Sequence, residues 1–367
     1  MNGNTSQSDV AMKGGGYYSL ATKGAKDVID AATPLVLDAI DRMNLAVEQR
    51  PFVFSDMGCA DGGTSLDMVR SATRKIRAAA PGREICIVYT DQPRNDYNAL
   101  FQIVHGLTGG ESVSAGDEGV HVLAAATSFY RRILPAGTLD LGFSATAMHW
   151  LSRKPCDITD HVQAVGASGA ELAAFAEQGR RDWETILLTR AAELVSGGRL
   201  VMVNFCRDEQ GRYLGNTSDV NMLDTFNAIW LGLLDEGLIT RDEYASMTLP
   251  QYYKDPGEFA APFEDTGGPV YRAGLRLEHA ETRVVPCPFA ADFERHGDAP
   301  RFAREYIPTL RSWTEATFHG ALSPQRPAEE RQSIIDHYYD TYEHLVREQP
   351  AGHGMAYVHS YMVIRRI

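Results

Sequence analysis

The 367-residue chain has no apolar run near the ~20 residues that a membrane-crossing helix needs. No membrane partner is expected. It has no C-x-x-C pair, and its five cysteines (Cys59, Cys86, Cys156, Cys206 and Cys287) are odd in number and widely separated, a pattern of neither a disulfide framework nor a zinc site. Reduced thiols and no metal are expected. Positive charge is scarce: Lys and Arg total 35 against 48 Asp and Glu, a formal net charge of −13, and no basic stripe occurs. That excludes a nucleic-acid partner but not a small anion in a local pocket. The opening MNGNTSQSDV is polar and lacks the basic-then-apolar order of a secretory signal, so a cytoplasmic location is expected.

What is present is alternation. Apolar, β-branched runs recur at 52–55, 84–90, 120–126, 139–145 and 198–205, separated by helical patterns, which predicts an α/β fold with a mostly parallel sheet covered on both faces. A helix is predicted over 171–195, ending at Ser196-Gly197-Gly198, where glycine supplies a left-handed cap. After Cys206 the pattern becomes mainly helical. Helices are predicted over 219–239, 299–320 and 328–346 and strands over 275–285 and 356–367, forming a cap inserted into or laid over the sheet.

The turn DMGCADGG (56–63) joins the first strand to a helix. Glycine there lets the backbone approach a ligand closely, at the opening of a helix with free N–H groups. Asp91 ends the second strand, where a carboxylate suits both hydroxyls of a ribose; the plainer reading is that it starts the turn DQPRND. A dinucleotide site would show G-x-G-x-x-G with an acid about 20 residues later, and this chain shows neither. Two acids would repel phosphate. A cationic ligand with sugar and base but no phosphate, such as S-adenosylmethionine, fits better.

The order of motifs resembles the plant-type carboxyl methyltransferases (SABATH) that methylate salicylate, benzoate, jasmonate and related acids, with their N-methylating relatives. The resemblance rests on MKGGGYYSLAT (12–22), DMGCADGGTSL (56–66), TDQPRNDYNALF (90–101), TSFYRRILP (127–135), AMHWLSRKP (147–155), LVSGGRLVM (194–202) and DEGLI (235–239). It implies a Rossmann-like class I methyltransferase sheet with an added α-helical cap. The implied divisions are an N-terminal lid (1–25), a cofactor-binding core (26–207), a cap and substrate-binding region (208–330), and a C-terminal helix and strand completing the core (331–367). It also implies S-adenosyl-L-methionine as cofactor, a small carboxylic acid as substrate and a homodimer.

Residue by residue, the resemblance puts Asp56, Gly58 and Gly62 along the methionine and ribose side of the cofactor, Asp91 on the ribose, and Gln92, Ser128 and Phe129 around the adenine. Tyr18 and Thr22 belong to the segment folding over the cofactor, with 13–22 a glycine-hinged lid. Trp150 would hold the substrate carboxylate, with His149 as a second donor. Met222, Leu223, Phe226, Trp313 and Phe318 are expected to line the acceptor pocket from the cap. Each has an ordinary alternative: core packing for the aromatic residues, a helix cap for Ser128. A carboxylic acid is already ionised at neutral pH, so no general base is needed, only in-line geometry and a dry site with few, neutral donors.

The chain departs from the family pattern near the acceptor. Ala25 stands where a Gln is usual and Ala21 where an Asn is, leaving Lys23, Lys26 and His149 as candidate replacements. Methylation of a ring nitrogen or a hydroxyl, the latter with His149 as base, is therefore an alternative. So is a catalytically silent relative that binds a small acid.

Overall fold

A computed structural model describes residues 23–45, 50–114 and 116–367. Tyr18, Thr22 and the lid expected over 13–22 lie outside the described residues. The first strand, β1 (Phe52–Met57), is an interior strand, third in the order of a seven-stranded sheet. β2 (Ile85–Asp91) and β3 (Val120–Ala126) extend the sheet on one side of β1, and β4 (Leu139–Ala145) and β5 (Leu194–Phe205) on the other, all parallel. Chain direction along the sheet therefore reverses between β1 and β4, the place where open α/β sheets bind ligands. β7 (Tyr357–Arg366) runs antiparallel between β5 and β6 (Leu275–Val285), giving the order β3-β2-β1-β4-β5-β7-β6.

Burial follows the predicted pattern. β1, β2, β4 and β7 are almost wholly buried because helices cover both faces, whereas β3 at the edge is largely open. Helices α1 (Lys23–Asp41), α2 (Leu66–Ala79) and α3 (Tyr97–Val104) belong to the first half, and α4 (Gly169–Glu193) precedes β5. The helix expected to run to residue 195 stops at Glu193, and Leu194 is already extended. Its last carbonyls are taken by the N–H groups of Gly137 and Thr138, so no glycine cap is required. Gly197 does take a positive φ (82°), but inside β5, where the register against β4 shifts.

The later chain forms α5 (Met222–Asp235), α6 (Arg241–Ser246), α7 (Pro256–Glu264), α8 (Pro269–Arg272), α9 (Pro288–His296), α10 (Ala299–Ala321) and α11 (Ala328–Glu348). Asn221 caps α5 by accepting from the backbone of Leu223 and Asp224, and capping boxes open α6 and α7. α5, α10 and α11 close on an aromatic interior in which Phe318 and Tyr338 lie 4.3 Å apart and Trp230 meets Phe318 at 5.1 Å. The expected cap is thus present, and β6 within it is also the outer strand of the main sheet.

Candidate active site

The turn after β1 is held open by its neighbours. Gly58 and Cys59 donate to the carbonyl of Thr90 at the end of β2 (2.8 and 3.1 Å), drawing the turn over the strand tips. Gly58 and Gly62 have φ of 80° and 73°, and a Cβ on Gly58 would lie 2.5 Å from that of Ala147. Only glycine fits there without strain. Ala60 is also left-handed (φ 49°) and is fixed by Asp91, whose Oδ2 accepts its N–H at 2.8 Å, while Asn95 donates to its carbonyl. Asp91 Oδ1 accepts the N–H of Gln92 at 2.7 Å. Both oxygens are therefore oriented, and each keeps a lone pair. Burial raises the Asp91 pKa, opposed by these two bonds.

Asp56 is 3% exposed and accepts a 2.6 Å bond from the Ser65 hydroxyl. Burial pushes its pKa up to about 7; the Ser65 bond opposes this and the Asp91 charge adds to it. Asp56, Gly58, Thr64 and Ser65 line a small cavity with Ala25 and Ile29 of α1, Phe143 of β4 and Thr146. The Ser128 hydroxyl accepts from Tyr130 N–H at 3.3 Å within a turn that no helix follows, so the helix cap offered as its ordinary alternative does not form, and Phe129 is half-buried against Tyr130 at 4.9 Å.

Thr146, itself left-handed (φ 58°), also lines a second cavity with His149, Trp150, Phe205, Leu214, Trp313, Met355 and Tyr357. The segment carrying His149 and Trp150 is held from two sides. Trp150 bridges to Gln251 and the Tyr252 N–H donates to the His149 carbonyl at 3.0 Å; Tyr130 hydroxyl donates to the Trp150 carbonyl; and Asp182 accepts from both N–H and hydroxyl of Ser152. His149 is 4% exposed, its Nδ1 makes no hydrogen bond among the described residues, and its ring meets Phe205 edge-on at 4.6 Å. Burial, with His359 and Lys254 nearby, holds its pKa well below the usual histidine value, so it is neutral at pH 7.

Of the expected cap residues, Trp313 lines this cavity. Met222, Leu223, Phe226 and Phe318 are at most 1% exposed in the cap interior, Phe226 packing edge-on to Trp313 at 6.0 Å. The sequence does not single out Thr146, Phe205, Leu214, Met355 and Tyr357; the position just past the tip of β4 and the last residue of β5 are the signal that identifies the first two. Lys26 pairs with Asp30 and Asp67, and Lys23 lies over the Phe289 ring, so both candidate replacements at the Ala25 gap have other company.

The donor set suits a cationic nucleoside without phosphate: the buried Asp56 and the half-buried Asp91, left-handed backbone at positions 58, 60 and 62, and no Lys or Arg among the described residues lining either cavity. Comparisons agree with that chemistry. The family described as SAM dependent carboxyl methyltransferase matches residues 7–367. Arabidopsis thaliana indole-3-acetate O-methyltransferase 1 is 28% identical over 298 residues, covering 73% of this chain and 77% of its own length. Arabidopsis thaliana gibberellic acid methyltransferase 2 is 28% identical over 265 residues (65% and 66%), and Zea mays benzoate O-methyltransferase is 28% identical over 271 (66% and 69%). The solved structure of a loganic acid methyltransferase with SAH shares the fold at a TM-score of 0.76, with 20% identity over 97% of this chain and 98% of that one. The chain belongs to the S-adenosylmethionine-dependent carboxyl methyltransferases.

Proposed function

We propose that this enzyme esterifies the carboxylate of a small acid with an aromatic or apolar body, using Asp91 for the ribose of the cofactor, Asp56 with the Gly58 and Gly62 turn for its methionine side, and Gln92, Ser128 and Phe129 for its adenine. The supporting observation is that the Asp56 cavity and the aromatic cavity share Thr146, with no cationic side chain described in either. When bound, S-adenosylmethionine supplies an electrophilic methyl group. The chain's part is orientation and dryness. Trp150 offers a neutral indole N–H and His149 a neutral imidazole, which orient an acceptor oxygen without neutralising it, while Phe205, Trp313 and Tyr357 exclude water. A depressed His149 pKa makes it a poor base for a hydroxyl, which favours the carboxylate reading over hydroxyl methylation.

Incubation with methyl-labelled cofactor and a panel of aromatic, indolic and fatty acids is expected to yield neutral, solvent-extractable label from at least one acid. No extractable label across the panel would sink the reading. With the acid identified, Trp150→Phe is expected to lower kcat/KM about ten- to hundredfold, the cost of one missing donor in a dry site. Undiminished turnover removes the indole from the chemistry.

Asp56 adds a proton linkage. Its folded pKa of about 7 lies above the ordinary carboxylate value, so its ionisation is disfavoured by folding, and its stabilising contribution, complete at low pH, is lost as pH rises towards 7. A cationic cofactor beside it reverses the preference. Affinity for S-adenosylhomocysteine, whose amino group is cationic, should then rise with pH up to about 7 and level off above it. Calorimetry at pH 6 in phosphate and in Bis-Tris, whose ionisation enthalpies differ, should give different apparent enthalpies; equal values exclude the linkage.

The family likeness also supports a homodimer, and a cytoplasmic location is proposed beside it. The divisions 1–25, 26–207, 208–330 and 331–367 as lid, core, cap and completing element are kept as the resemblance gives them, except that α11 (Ala328–Glu348) crosses the last boundary and packs with α5 and α10 of the cap. Sedimentation tests the first, tagged expression the second and limited proteolysis the third.

A further inference from the structure

A groove of about 580 Å³ runs between α4 and the α7–α8 pair, within the size range of small-molecule sites. Ala173, Ala176 and Trp183 form one wall, and Ala261, Pro262 and Val270 the other. Lys254 also lines it, 4% exposed. Its ammonium makes no hydrogen bond or ion pair among the described residues and lies 5.7 Å from the ring centres of Tyr252 and Phe259. An ammonium buried this way is unfavourable without a partner.

The nearby acids are already engaged. Asp182 is bonded to Ser152 and Gln178, and Glu258 accepts from the Tyr252 hydroxyl and the Asp255 N–H. At the rim, Glu177 and Glu184 face Arg180, and Asp265 accepts from Gly267 N–H. Gly179 lets α4 pack closely on this corner: a Cβ there would lie 2.6 Å from Tyr252 Cδ1 and 3.3 Å from Lys254 Nζ. Burial lowers the Lys254 pKa to about 8 against the pull of Glu258 and Asp182, so it is still largely cationic at pH 7.

We propose that this groove is a second small-molecule site, taking a monocarboxylate with an apolar body: the carboxylate on Lys254, the body between α4 and α7–α8. A dianion such as phosphate is disfavoured by the acids around the rim, and a neutral ligand leaves the ammonium unpaired. The site lies behind the acceptor cavity, because Gln251 and Tyr252, which hold Trp150 and His149, lead directly into Lys254. It does not depend on which acid is methylated.

Octanoate is the probe, titrated calorimetrically into the full chain saturated with S-adenosylhomocysteine. Saturable binding at one equivalent is expected in Trp150→Phe, whose acceptor cavity is weakened for acids, and in that background it falls about tenfold or more when Lys254→Met or Ala173→Trp is added. Ala173 is exposed, so a bulky replacement there obstructs the groove without disturbing the core, and it carries the test if Lys254→Met fails to fold. No saturable binding overturns the proposal, as does binding that survives either groove substitution or vanishes in Trp150→Phe, which would put the probe in the acceptor cavity. A dimer that Ala173→Trp dissociates overturns it too, since a second copy would then occupy the groove.

Discussion

Asp91→Ala is expected to weaken S-adenosylhomocysteine binding about 100-fold or more. The carboxylate is oriented by the N–H groups of Ala60 and Gln92, so its remaining lone pairs point in fixed directions before any ligand arrives. Two charge-assisted bonds to a ribose, at about 1.5–3 kcal/mol each, account for that loss. A second effect adds to it. Without the carboxylate, the left-handed Ala60 loses the bond that holds its N–H, and the tip of the turn is loosened while Gly58 and Cys59 stay on the Thr90 carbonyl. Asp91→Asn should fall between, keeping one acceptor but no charge. Calorimetry distinguishes the cases, and unchanged affinity in Asp91→Ala would remove the residue from the cofactor site.

The second large effect is on stability. Arg190 and Glu193, near the end of α4, are both fully buried and paired through two 2.7 Å bonds. Arg190 also donates to the carbonyls of Phe129 and Arg131, and Glu193 accepts from the N–H groups of Ile133 and Leu134. One ion pair thus braces the whole 128–134 segment that carries the proposed adenine contacts. Arg190→Met would leave a buried carboxylate without its cation and two carbonyls without donors, destabilising the protein by about 3–5 kcal/mol. Urea unfolding measures this directly. A loss under about 1 kcal/mol would mean that the brace is dispensable.

That pair also marks where the sequence stops being legible. Two opposite charges three residues apart on a long helix look like a solvated face, and nothing in their spacing says that a loop some sixty residues earlier needs them. The strands, by contrast, were readable because burial on both faces leaves continuous apolar runs, and β4 at 139–145 was predicted to the residue. The glycine turn after β1, proposed for the cofactor, was visible as a turn, since its glycines and acids are local. The lining of the aromatic cavity, proposed for the acceptor, was only half visible. Trp150 and His149 came with a motif, but Phe205 and Tyr357 meet across it only because the antiparallel pairing of β5 with β7 joins distant segments. The Ser-Gly-Gly reading failed for a related reason: the carbonyls at the end of α4 found donors at Gly137 and Thr138, which no local pattern announces.

The position of β7 also has a meaning for biosynthesis. β5 is made well before its neighbour, and about 150 residues must leave the ribosome between them, on the order of ten seconds at usual elongation rates. During that interval the row of amides and carbonyls along β5 is unpaired and sticky, a template for adhesion between nascent chains. Expression yield of this enzyme should therefore depend on chaperone supply and translation speed more than the stability of the finished sheet suggests.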